Sequence, residues 1–424
     1  MLTIKLIKEN KEEVIERLAL KNFKAREIVE KIIDLDDRRK STQTQLDSTL
    51  AEANAIAKEV GSLMKQGKKE EAEAAKSKTS KLKDDSKGFQ TSLEEIEKEL
   101  NSTVVLLPNL PHASVPAGKS AEDNQIVRTG GTMPSLHADA KPHWELTSKY
   151  DIIDFELGTK ITGAGFPVYK GKGAKLQRAL INFFLDEAEK AGFLEVQPPI
   201  VVNEDSGFGT GQLPDKEGQM YHCGIDNLYL VPTAEVPVTN IYRDVILKSS
   251  DFPIKNTAYT PCFRREAGSY GKDVRGLNRL HQFDKVEVVV ISHPENSYEI
   301  LEEMVGHVEN LVKKLELPYR ILRLCGGDMS FTSALTYDFE VYSAAQGRWL
   351  EVSSVSNFES FQANRLKLRY KDENDKKTTL AHTLNGSALA LPRIVAALLE
   401  NNQTEEGIRI PEILRPYTKF DLIN

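Results

Sequence analysis

The stretch that decides the fold is YTPCFRREAGSYGKDVRGLNRLHQFDKVEVVVI, which covers Tyr259–Ile291. Two runs of strand-like residues flank a loop rich in glycine and arginine, and this pattern predicts a β-hairpin. Every second side chain of a strand points to the same face, so Arg264 and Glu266 would lie together on the first strand. The hairpin therefore brings a cation and a carboxylate to one surface.

The returning strand adds a second set of side chains. Phe283, Lys285 and Glu287 are spaced two residues apart and would share one face. If the two strands pair, the combined surface suits a ligand that has phosphates, an amine and a flat base. The alternative is an ordinary surface hairpin with paired charges.

The chain around the hairpin predicts an α+β fold. Several strands follow one another without intervening helices, which indicates an antiparallel sheet with helices packed on it, not a doubly wound sheet. Predicted strands are 193–196, 228–231, 257–263, 283–291, 319–324, 337–342 and 348–357, and predicted helices are 174–192, 299–315 and 387–399.

Residues 26–101 differ from the rest because they contain no proline and a single aromatic residue, Phe89. Apolar residues recur there on a 4-3 spacing, which requires a partner helix. Gly61 and Gly67 separate two such runs and predict the bend of an antiparallel helical hairpin about 50 Å long. The first run is Ile28, Ile32, Leu35, Leu46, Ala53, Ile56, Val60 and Leu63, with Arg39, Thr42 and Thr49 in the same frame, and the second is Leu82, Phe89, Leu93, Ile96 and Leu100.

A proline-rich segment follows the helical region. Proline cannot continue a helix, so residues 108–118 predict a linker. We expect three parts: a helical arm over residues 1–107, this linker, and a larger α+β domain over residues 119–424.

The 424-residue chain has a formal net charge of −7, which argues against a generally nucleic-acid-binding surface. Residues 58–87 are an exception, because nine lysines face six acidic residues there. A locally basic element can still bind phosphates. A dimerisation coiled coil explains the periodicity equally well, but the lysine-rich bend favours contact with a polyanion. The candidate lysines are Lys65, Lys68, Lys69, Lys76, Lys78, Lys81 and Lys83.

Cysteine use and hydropathy indicate the compartment. Cys223, Cys262 and Cys325 are an odd and widely separated set, which favours a reducing compartment over a disulfide framework. No run of about 18 apolar residues occurs in the sequence, so no membrane span is predicted. We therefore expect a cytoplasmic protein.

Several motifs carry a family resemblance. Phe263–Glu266 with its glycine-rich loop and His281–Phe283 resembles motif 2 of the class II aminoacyl-tRNA synthetases. Gly386–Arg393 resembles motif 3, and the segment ending at Pro198-Pro199 resembles motif 1. With the segments 233–235, 351–354 and 382–387 and the N-terminal hairpin, essentially the whole chain resembles the bacterial-type seryl-tRNA synthetase family.

This resemblance implies an ATP-dependent serine–tRNA ligase, which forms seryl-adenylate and then esterifies tRNA(Ser). It assigns residues 1–107 to tRNA binding and residues 119–424 to catalysis, in a homodimer formed through motif 1. The sequence leaves tRNA(Sec) open as a second substrate. The implied serine-binding residues are Thr233, Ala234, Glu235, Arg264, Glu287, Thr383, Asn385 and Ser387.

The same resemblance implies the ATP site and its Mg²⁺. Arg264 would bridge the serine carboxylate and the α-phosphate, Glu266 would read adenine, and Phe283 would stack on it. Arg393 would cover the other face of adenine, and Arg279 would reach the γ-phosphate. Arg264, Glu287 and Arg393 form the expected catalytic set. The remaining implied ATP residues are Arg265, Glu351, Val352, Ser353 and Ser354, of which Glu351 and Ser354 would bind Mg²⁺, whereas Arg265 and Tyr270 would face the tRNA acceptor stem.

Two other function classes remain. An enzyme of this fold could load an activated amino acid onto a carrier protein, although a long helical arm would serve little purpose there. A catalytically inactive RNA-binding paralogue is the second alternative. The residues that argue against it are Arg264, Glu266, Glu287, Glu351 and Arg393.

Overall fold

The computed structural model describes residues 1–215, 217–266, 275–372 and 377–424. Residues 267–274, which include most of the glycine-rich loop and Tyr270, lie outside the described part of the chain. The chain divides into two compact units. The first comprises Met1–Ala19 and Phe23–Pro108, and the second comprises Leu20–Asn22 and Asn109–Asn424.

Two long helices dominate the first unit. Ion pairs join Lys31 to Glu99 at 2.7 Å and Lys78 to Glu52 at 2.8 Å. Residue numbers therefore increase along one helix in the direction in which they decrease along the other. The helices are therefore antiparallel, as the periodicity predicts. The bounds are α1 Ile4–Glu9, α2 Lys11–Leu20, α3 Arg26–Lys65 and α4 Lys69–Val104.

The hairpin interior follows the predicted apolar frame with one shift. Val29 is buried where the frame predicts Ile28, which is half-buried. The interior becomes thinner towards the bend, where Val60 and Leu63 are only half-buried. Long helices obtain most of their stability from such packing, so the end near the bend is the less strongly held. The buried residues are Val29, Ile32, Leu35, Asp36, Leu46, Ala53 and Ile56 of α3, and Ala72, Leu93, Ile96, Leu100, Thr103 and Val104 of α4.

The bend is shorter than the two glycines predict. Helix α3 continues through Gly61 to Lys65, and the chain reverses between Gln66 and Lys68. Gly67 has φ +75°, a left-handed conformation that side chains with a Cβ adopt with strain. The assignment of Gly61 to the bend was wrong, because a single glycine in a long helix costs only about 1 kcal/mol and does not end it.

The second unit contains one large sheet and its flanking helices. Within the described residues, eight strands pair side by side, and each pair is antiparallel except β4 with β9. Their order is β1 Gln125–Gly130, β11 Tyr319–Arg323, β12 Leu335–Ser343, β13 Arg348–Glu359, β16 His382–Ala390, β10 Gln282–Ser292, β9 Ile254–Phe263 and β4 Leu194–Glu195. The predicted α+β class and antiparallel sheet are confirmed. The helices are α5 His143–Lys149, α6 Phe155–Ile161, α7 Gly171–Lys190, α8 Glu204–Thr210, α9 Glu235–Asn240, α10 Ser297–Lys314, α11 Ser360–Leu366, α12 Leu391–Asn401 and α13 Arg415–Thr418. The strands are β1 Gln125–Gly130, β2 Ile153–Asp154, β3 Val168–Tyr169, β4 Leu194–Glu195, β5 Val201–Val202, β6 His222–Cys223, β7 Leu228–Leu230, β8 Ile246–Lys248, β9 Ile254–Phe263, β10 Gln282–Ser292, β11 Tyr319–Arg323, β12 Leu335–Ser343, β13 Arg348–Glu359, β14 Arg369–Lys371, β15 Thr378–Leu380, β16 His382–Ala390, β17 Ile408–Arg409 and β18 Leu422–Ile423.

Both faces of the central sheet are covered. Alternate residues of β10 divide between two apolar clusters: Val286, Val288 and Val290 join the larger one, and Val289 and Ile291 join the smaller. A strand buried on both faces has a continuous apolar sequence, as this one does.

Among the helices in the described ranges, none combines the length and apolar character that a membrane span requires.

Two predicted boundaries in this unit were wrong. Strand β9 ends at Phe263, so Arg264 and Glu266 follow the strand and do not alternate along it, and Glu266 turns the chain with φ +49°. Residues 387–390 extend strand β16 instead of starting a helix, because β16 pairs with β10 on one side and β13 on the other. Helix α12 begins only at Leu391, with proline in its first turn.

Candidate active site

A polar strip lies along the smaller-cluster face of β10 and β16. Glu287 of β10 is directly opposite Ser387 of β16, and Val289 is opposite Asn385. Since alternate residues share a face, Thr383, Asn385 and Ser387 point to the same side as Glu287. The sheet register thus brings four of the predicted serine-site residues together.

Glu287 is held by two buried partners. The Lys285 ammonium lies 2.6 Å from Glu287 Oε2, and the Thr233 hydroxyl donates to the same oxygen at 3.2 Å. The Glu287 and Lys285 side chains are 2% and 7% exposed. The Glu287 carbonyl also accepts from the Thr257 hydroxyl at 3.0 Å. The carboxylate therefore has a fixed position inside the protein.

Glu235 is a second buried carboxyl group close to the first. It begins helix α9, and its backbone N–H donates to the Thr233 hydroxyl at 3.2 Å. Burial and the repulsion of Glu287 raise the pKa of Glu235 to about 7. Ala234, between the two, is fully buried, so its side chain serves packing.

Gln362 of α11 was not predicted. Its amide donates to Glu235 Oε1 at 2.7 Å, and its carbonyl accepts from the Thr383 hydroxyl at 2.7 Å. No local motif marks this residue, because only the packing of α11 beside β16 brings it to the site.

Arg264 contacts the segment that also holds Glu287. Its Nε donates to the Pro232 carbonyl at 3.4 Å, and the next residue, Thr233, donates to Glu287. The Arg264 guanidinium also lies over the Phe283 ring, 5.3 Å from the centroid. The hairpin prediction is therefore correct in bringing the cation, the carboxylate and the ring together, although Arg264 is outside the strand.

Three other predicted residues form a second polar group. Glu266 and Arg279 make an ion pair at 3.1 Å across the two ends of the hairpin loop. Arg393 of α12 donates from Nε to the Asn278 carbonyl at 3.0 Å and from Nη1 to the Glu351 carbonyl at 2.8 Å. Backbone carbonyls thus orient the Arg393 guanidinium beside Glu351.

Glu351 and Ser354 share a face because strand β13 is irregular. Three residues apart, they would point to opposite faces of a regular strand. Ser354 pairs with Asp338 and Glu351 pairs with Glu340, so one extra residue, Val352, is accommodated as a β-bulge. The Val352 side chain packs into the core, and the neighbouring Ser353 hydroxyl donates to the Ser387 carbonyl at 2.6 Å.

The surroundings of this pair fit a hard divalent cation. Carboxylate and hydroxyl oxygens are the ligands that Mg²⁺ prefers. Asp338 Oδ1 is buried and accepts no hydrogen bond from any described residue. Burial and the neighbouring Glu351 raise the pKa of Asp338 well above its usual range. Among the described residues, no group of three or more His, Cys, Asp or Glu side chains is arranged to hold a metal ion.

Arg265 lines a cavity of about 500 Å³. Its backbone N–H donates to the Gln219 carbonyl at 2.8 Å. The cavity walls include the apolar side chains of Phe208, Met220 and Tyr229. Arg265 therefore faces a different group of residues from its neighbour Arg264.

The seven candidate lysines are exposed on the helical hairpin. Three have acidic partners: Lys68 with Glu71 at 3.1 Å, Lys76 with Glu73 at 2.8 Å, and Lys78 with Glu52 at 2.8 Å. The remaining four make no ion pair within the described part of the chain. They are Lys65, Lys69, Lys81 and Lys83.

Comparisons with known proteins agree over both units. Residues 1–111 match the family described as the seryl-tRNA synthetase N-terminal domain, and residues 221–402 match the tRNA synthetase class II core domain (G, H, P, S and T). The chain is 50% identical over 421 residues to the serine–tRNA ligase of Salinibacter ruber, covering 99% of this chain and 98% of the relative. The serine–tRNA ligase of Geobacter sulfurreducens is 45% identical over 422 residues, with 98% of each chain covered. A crystal structure of seryl-tRNA synthetase from Pyrococcus horikoshii complexed with ATP has a TM-score of 0.93 and 35% identity, and the match covers 100% of this chain and 99% of that one.

Proposed function

The chain belongs to the seryl-tRNA synthetase family, and from this premise we propose which of its residues perform each part of the reaction. It activates L-serine with ATP to seryl-adenylate and transfers serine to the 3′-terminal adenosine of tRNA(Ser). The observation that carries the residue-level proposal is the buried pair of carboxyl groups, Glu235 and Glu287, beside Ser387 and Arg264.

Serine binds at the polar strip. Its ammonium group lies between the carboxylates of Glu235 and Glu287, where a buried positive charge is neutralised. Its hydroxyl bonds to Thr233 and to three residues of the strip. These three are Thr383, Asn385 and Ser387. A buried site built to hydrogen-bond a hydroxyl rejects alanine strongly, because alanine leaves polar groups unpaired.

Arginine side chains hold ATP. Arg264 takes the serine carboxylate and the α-phosphate together, because its planar fork can bind two oxygens at once. Phe283 and Arg393 enclose adenine, Glu266 reads its edge, and Arg279 moves from Glu266 to the γ-phosphate. Val352 and Ser353 contribute main-chain contacts only, since their side chains point into the sheet and core.

The chemistry needs fixed cations more than a proton acceptor. A serine carboxylate oxygen forms a bond to the α-phosphorus while the bond from that phosphorus to the pyrophosphate oxygen breaks. Both reacting groups are anionic, so the preorganised Arg264 guanidinium lowers the barrier by stabilising the transition-state charge. Glu351 and Ser354 would hold Mg²⁺, which neutralises the pyrophosphate oxygens when bound. In the second step the tRNA ribose hydroxyl attacks the serine carbonyl carbon and AMP leaves.

The helical unit binds tRNA through its exposed lysines. This division assigns residues 1–107 to tRNA binding, 108–118 to a linker, and 119–424 to catalysis. Arg265 directly follows Arg264 in the sequence, and the cavity that Arg265 lines would face the acceptor end of the tRNA. Charging of tRNA(Sec) stays a prediction, to be tested with that transcript.

We also propose a cytoplasmic homodimer. Apolar side chains of the motif 1 region are exposed, with Leu194 at 67%, Ile200 at 40% and Val201 at 39%. Strand β4 is also at the edge of the large sheet, and exposed apolar edges usually mark an interface. Sedimentation of the purified chain tests dimerisation, and the three free cysteines support a reducing compartment.

One assay tests the proposal. Serine-dependent ATP–pyrophosphate exchange is measured first, followed by transfer of labelled serine to tRNA(Ser). We expect both activities, and we expect Glu287→Gln to abolish exchange while ATP binding remains. Full exchange by that variant would contradict the proposed serine site.

A further inference from the structure

The Gln362 side chain is buried inside the second unit and uses its whole amide group. It is 1% exposed. Its Nε2 donates to Glu235 Oε1 at 2.7 Å and to the Thr210 carbonyl at 3.1 Å. Its Oε1 accepts from the Thr383 hydroxyl at 2.7 Å. Both N–H groups and the carbonyl are therefore engaged.

This arrangement permits one orientation of the amide. A flipped amide would place its oxygen against the Glu235 carboxylate and the Thr210 carbonyl, which are both acceptors. A buried pair of facing acceptors is strongly unfavourable, so the observed orientation is fixed.

The fixed amide determines what the pocket can accept. Thr383 has one hydroxyl proton and donates it to Gln362, so only the lone pairs of its oxygen are left for a ligand. Thr233 donates its proton to Glu287 in the same way. With one oxygen of Glu235 bound to Gln362, the other is an acceptor when the carboxyl group is ionised. At these three residues the pocket thus offers acceptors to a ligand that brings donors, while the buried amide nitrogen of Asn385 supplies a donor.

We propose that Gln362 is a positioning residue of the serine pocket, which holds Glu235 and Thr383 as acceptors for the ammonium and hydroxyl groups of serine. This inference rests on the serine site proposed above. Gln362 acts through these two residues and needs no contact with serine itself.

The hydrogen bond also sets the charge of Glu235. Burial and Glu287 raise the pKa of Glu235, whereas Gln362, Lys285 and Asn385 lower it. Removal of the Gln362 donor should raise this pKa further. A larger share of Glu235 would then be protonated at neutral pH, and its attraction for serine's ammonium would weaken.

The test uses Gln362→Met, which has a similar volume and no amide. We expect the KM for serine in pyrophosphate exchange to rise at least about tenfold, while the KM for ATP changes less than about twofold. The apparent pKa on the acid limb of kcat/KM for serine should move upward. Gln362→Asn retains an amide but is one methylene shorter, so it should show the same pattern if Gln362→Met is produced poorly.

Gln177→Met is the matched control. Gln177 is also a buried glutamine, and its amide donates to the Asp284 carboxylate at 2.9 Å. This variant loses the same type of bond outside the serine pocket. It should lower thermal stability without changing the KM for serine or the pH profile.

Two outcomes would overturn the inference. The first is an unchanged serine KM and pH profile in Gln362→Met. The second is a Gln362→Met variant that loses as much active enzyme as Gln177→Met does, with unchanged KM values for serine and ATP. Thr233→Val separates this failure from that of the proposed function. If Thr233→Val leaves the serine KM unchanged, the serine site itself is misplaced; if only Gln362→Met does, the positioning role alone fails.

Discussion

Lysine–glutamate pairs occur in both units at almost the same separation but in opposite surroundings. Lys78 and Glu52 on the hairpin are 2.8 Å apart, with side chains 60% and 49% exposed. Lys285 and Glu287 at the proposed serine site are 2.6 Å apart, with side chains 7% and 2% exposed. Water and salt screen the first pair, whereas the second is held in a low-dielectric interior.

This difference bears on the roles that we propose for the two units. Exposed pairs contribute little individually, so the proposed binding of tRNA by the hairpin would depend on the summed charge of many lysines. Buried groups cannot be separated without leaving an unpaired charge, so the active site depends on the exact partners of a few residues. The comparison predicts large effects from single changes in the second unit and small ones from single changes on the hairpin.

The largest effect should follow removal of Arg264. Arg264→Ala deletes the guanidinium that we propose stabilises charge at the α-phosphate, and we expect pyrophosphate exchange to fall roughly 10²–10³-fold. Arg264→Lys retains the charge but not the planar fork, so it should recover only part of the rate. Exchange kinetics measure both. A rate within threefold of wild type for Arg264→Ala would remove Arg264 from the mechanism.

The next effect concerns Glu235 and pH. Its pKa of about 7 means that acid protonates it, so kcat/KM for serine should decline as pH falls below about 7. Glu235→Gln should raise the serine KM by roughly 10–100-fold and flatten this limb. A variant that keeps the wild-type acid limb would assign the titration to another group.

Glu235→Gln should also stabilise the protein without substrates. The folded pKa of Glu235 lies above its ordinary value of 4.5, so stability falls as pH rises from about 4.5 to 7. Thermal melts should show a higher Tm for the variant at pH 8 and no gain at pH 4. An equal gain at both pH values would exclude the ionisation of Glu235 as its cause.

Asp36 offers a buried charge inside the hairpin unit. Burial opposes its ionisation, but hydrogen bonds from Lys8, Arg39 and Lys40 outweigh it and lower the pKa of Asp36 to about 2. We expect Asp36→Asn to reduce the free energy of unfolding by about 2 kcal/mol at neutral pH. The stabilisation exists above the ordinary pKa of 3.8 and disappears as pH falls to about 2. Urea unfolding followed by circular dichroism, repeated at pH 7 and pH 2.5, measures the difference, which should shrink at the lower pH.

A smaller effect is expected from three lysines near the bend. Replacing Lys65, Lys68 and Lys69 by alanine should weaken tRNA charging about tenfold and reduce its salt dependence. Pyrophosphate exchange should stay near the wild-type rate. A triple change of Lys24, Lys31 and Lys98 removes the same charge away from the bend and is the control. Equal loss of exchange and charging would refute the division of labour between the units.

The smallest effect should come from Glu99→Gln. Its partner Lys31 is 52% exposed and Glu99 is 46% exposed, so the pair is well solvated. We expect a Tm indistinguishable from wild type. A decrease as large as that of Asp36→Asn would show that exposure does not decide the strength of hairpin charges.

The sequence was sufficient where the determinants were local or periodic. Most of the buried residues of α3, the antiparallel sheet and the pairing of the strands around Arg264 and Glu287 follow from spacing and alternation. The end of β9 at Phe263 did not, because alternation continues in the sequence after the strand pairing has stopped. The prediction that Gly61 belongs to the bend was wrong because an isolated glycine is compatible with either a bend or a helix.

The site was less predictable where contacts join distant segments. Gln362 meets Glu235 and Thr383 only after α11, α9 and β16 have packed, so no spacing marks it. Asp338 faces Ser354 through strand register in the same way. The roles carried over from the family resemblance remain predictions until the variants above are measured.

If serine binds at the proposed site, the alternation of β16 ties substrate choice to the alignment of one strand. Thr383, Asn385 and Ser387 line the polar side, while Leu384 and Ala388 pack into the apolar cluster on the other. Inserting or deleting one residue before Thr383 would exchange the two sets. Leucine and alanine would then face the proposed serine site, and hydroxyl groups would be buried in the apolar cluster. In a library of random insertions and deletions, active variants should therefore be rare at this strand, even where single substitutions are tolerated. The selection of the amino acid would depend on the register of the strand as much as on the identity of its residues.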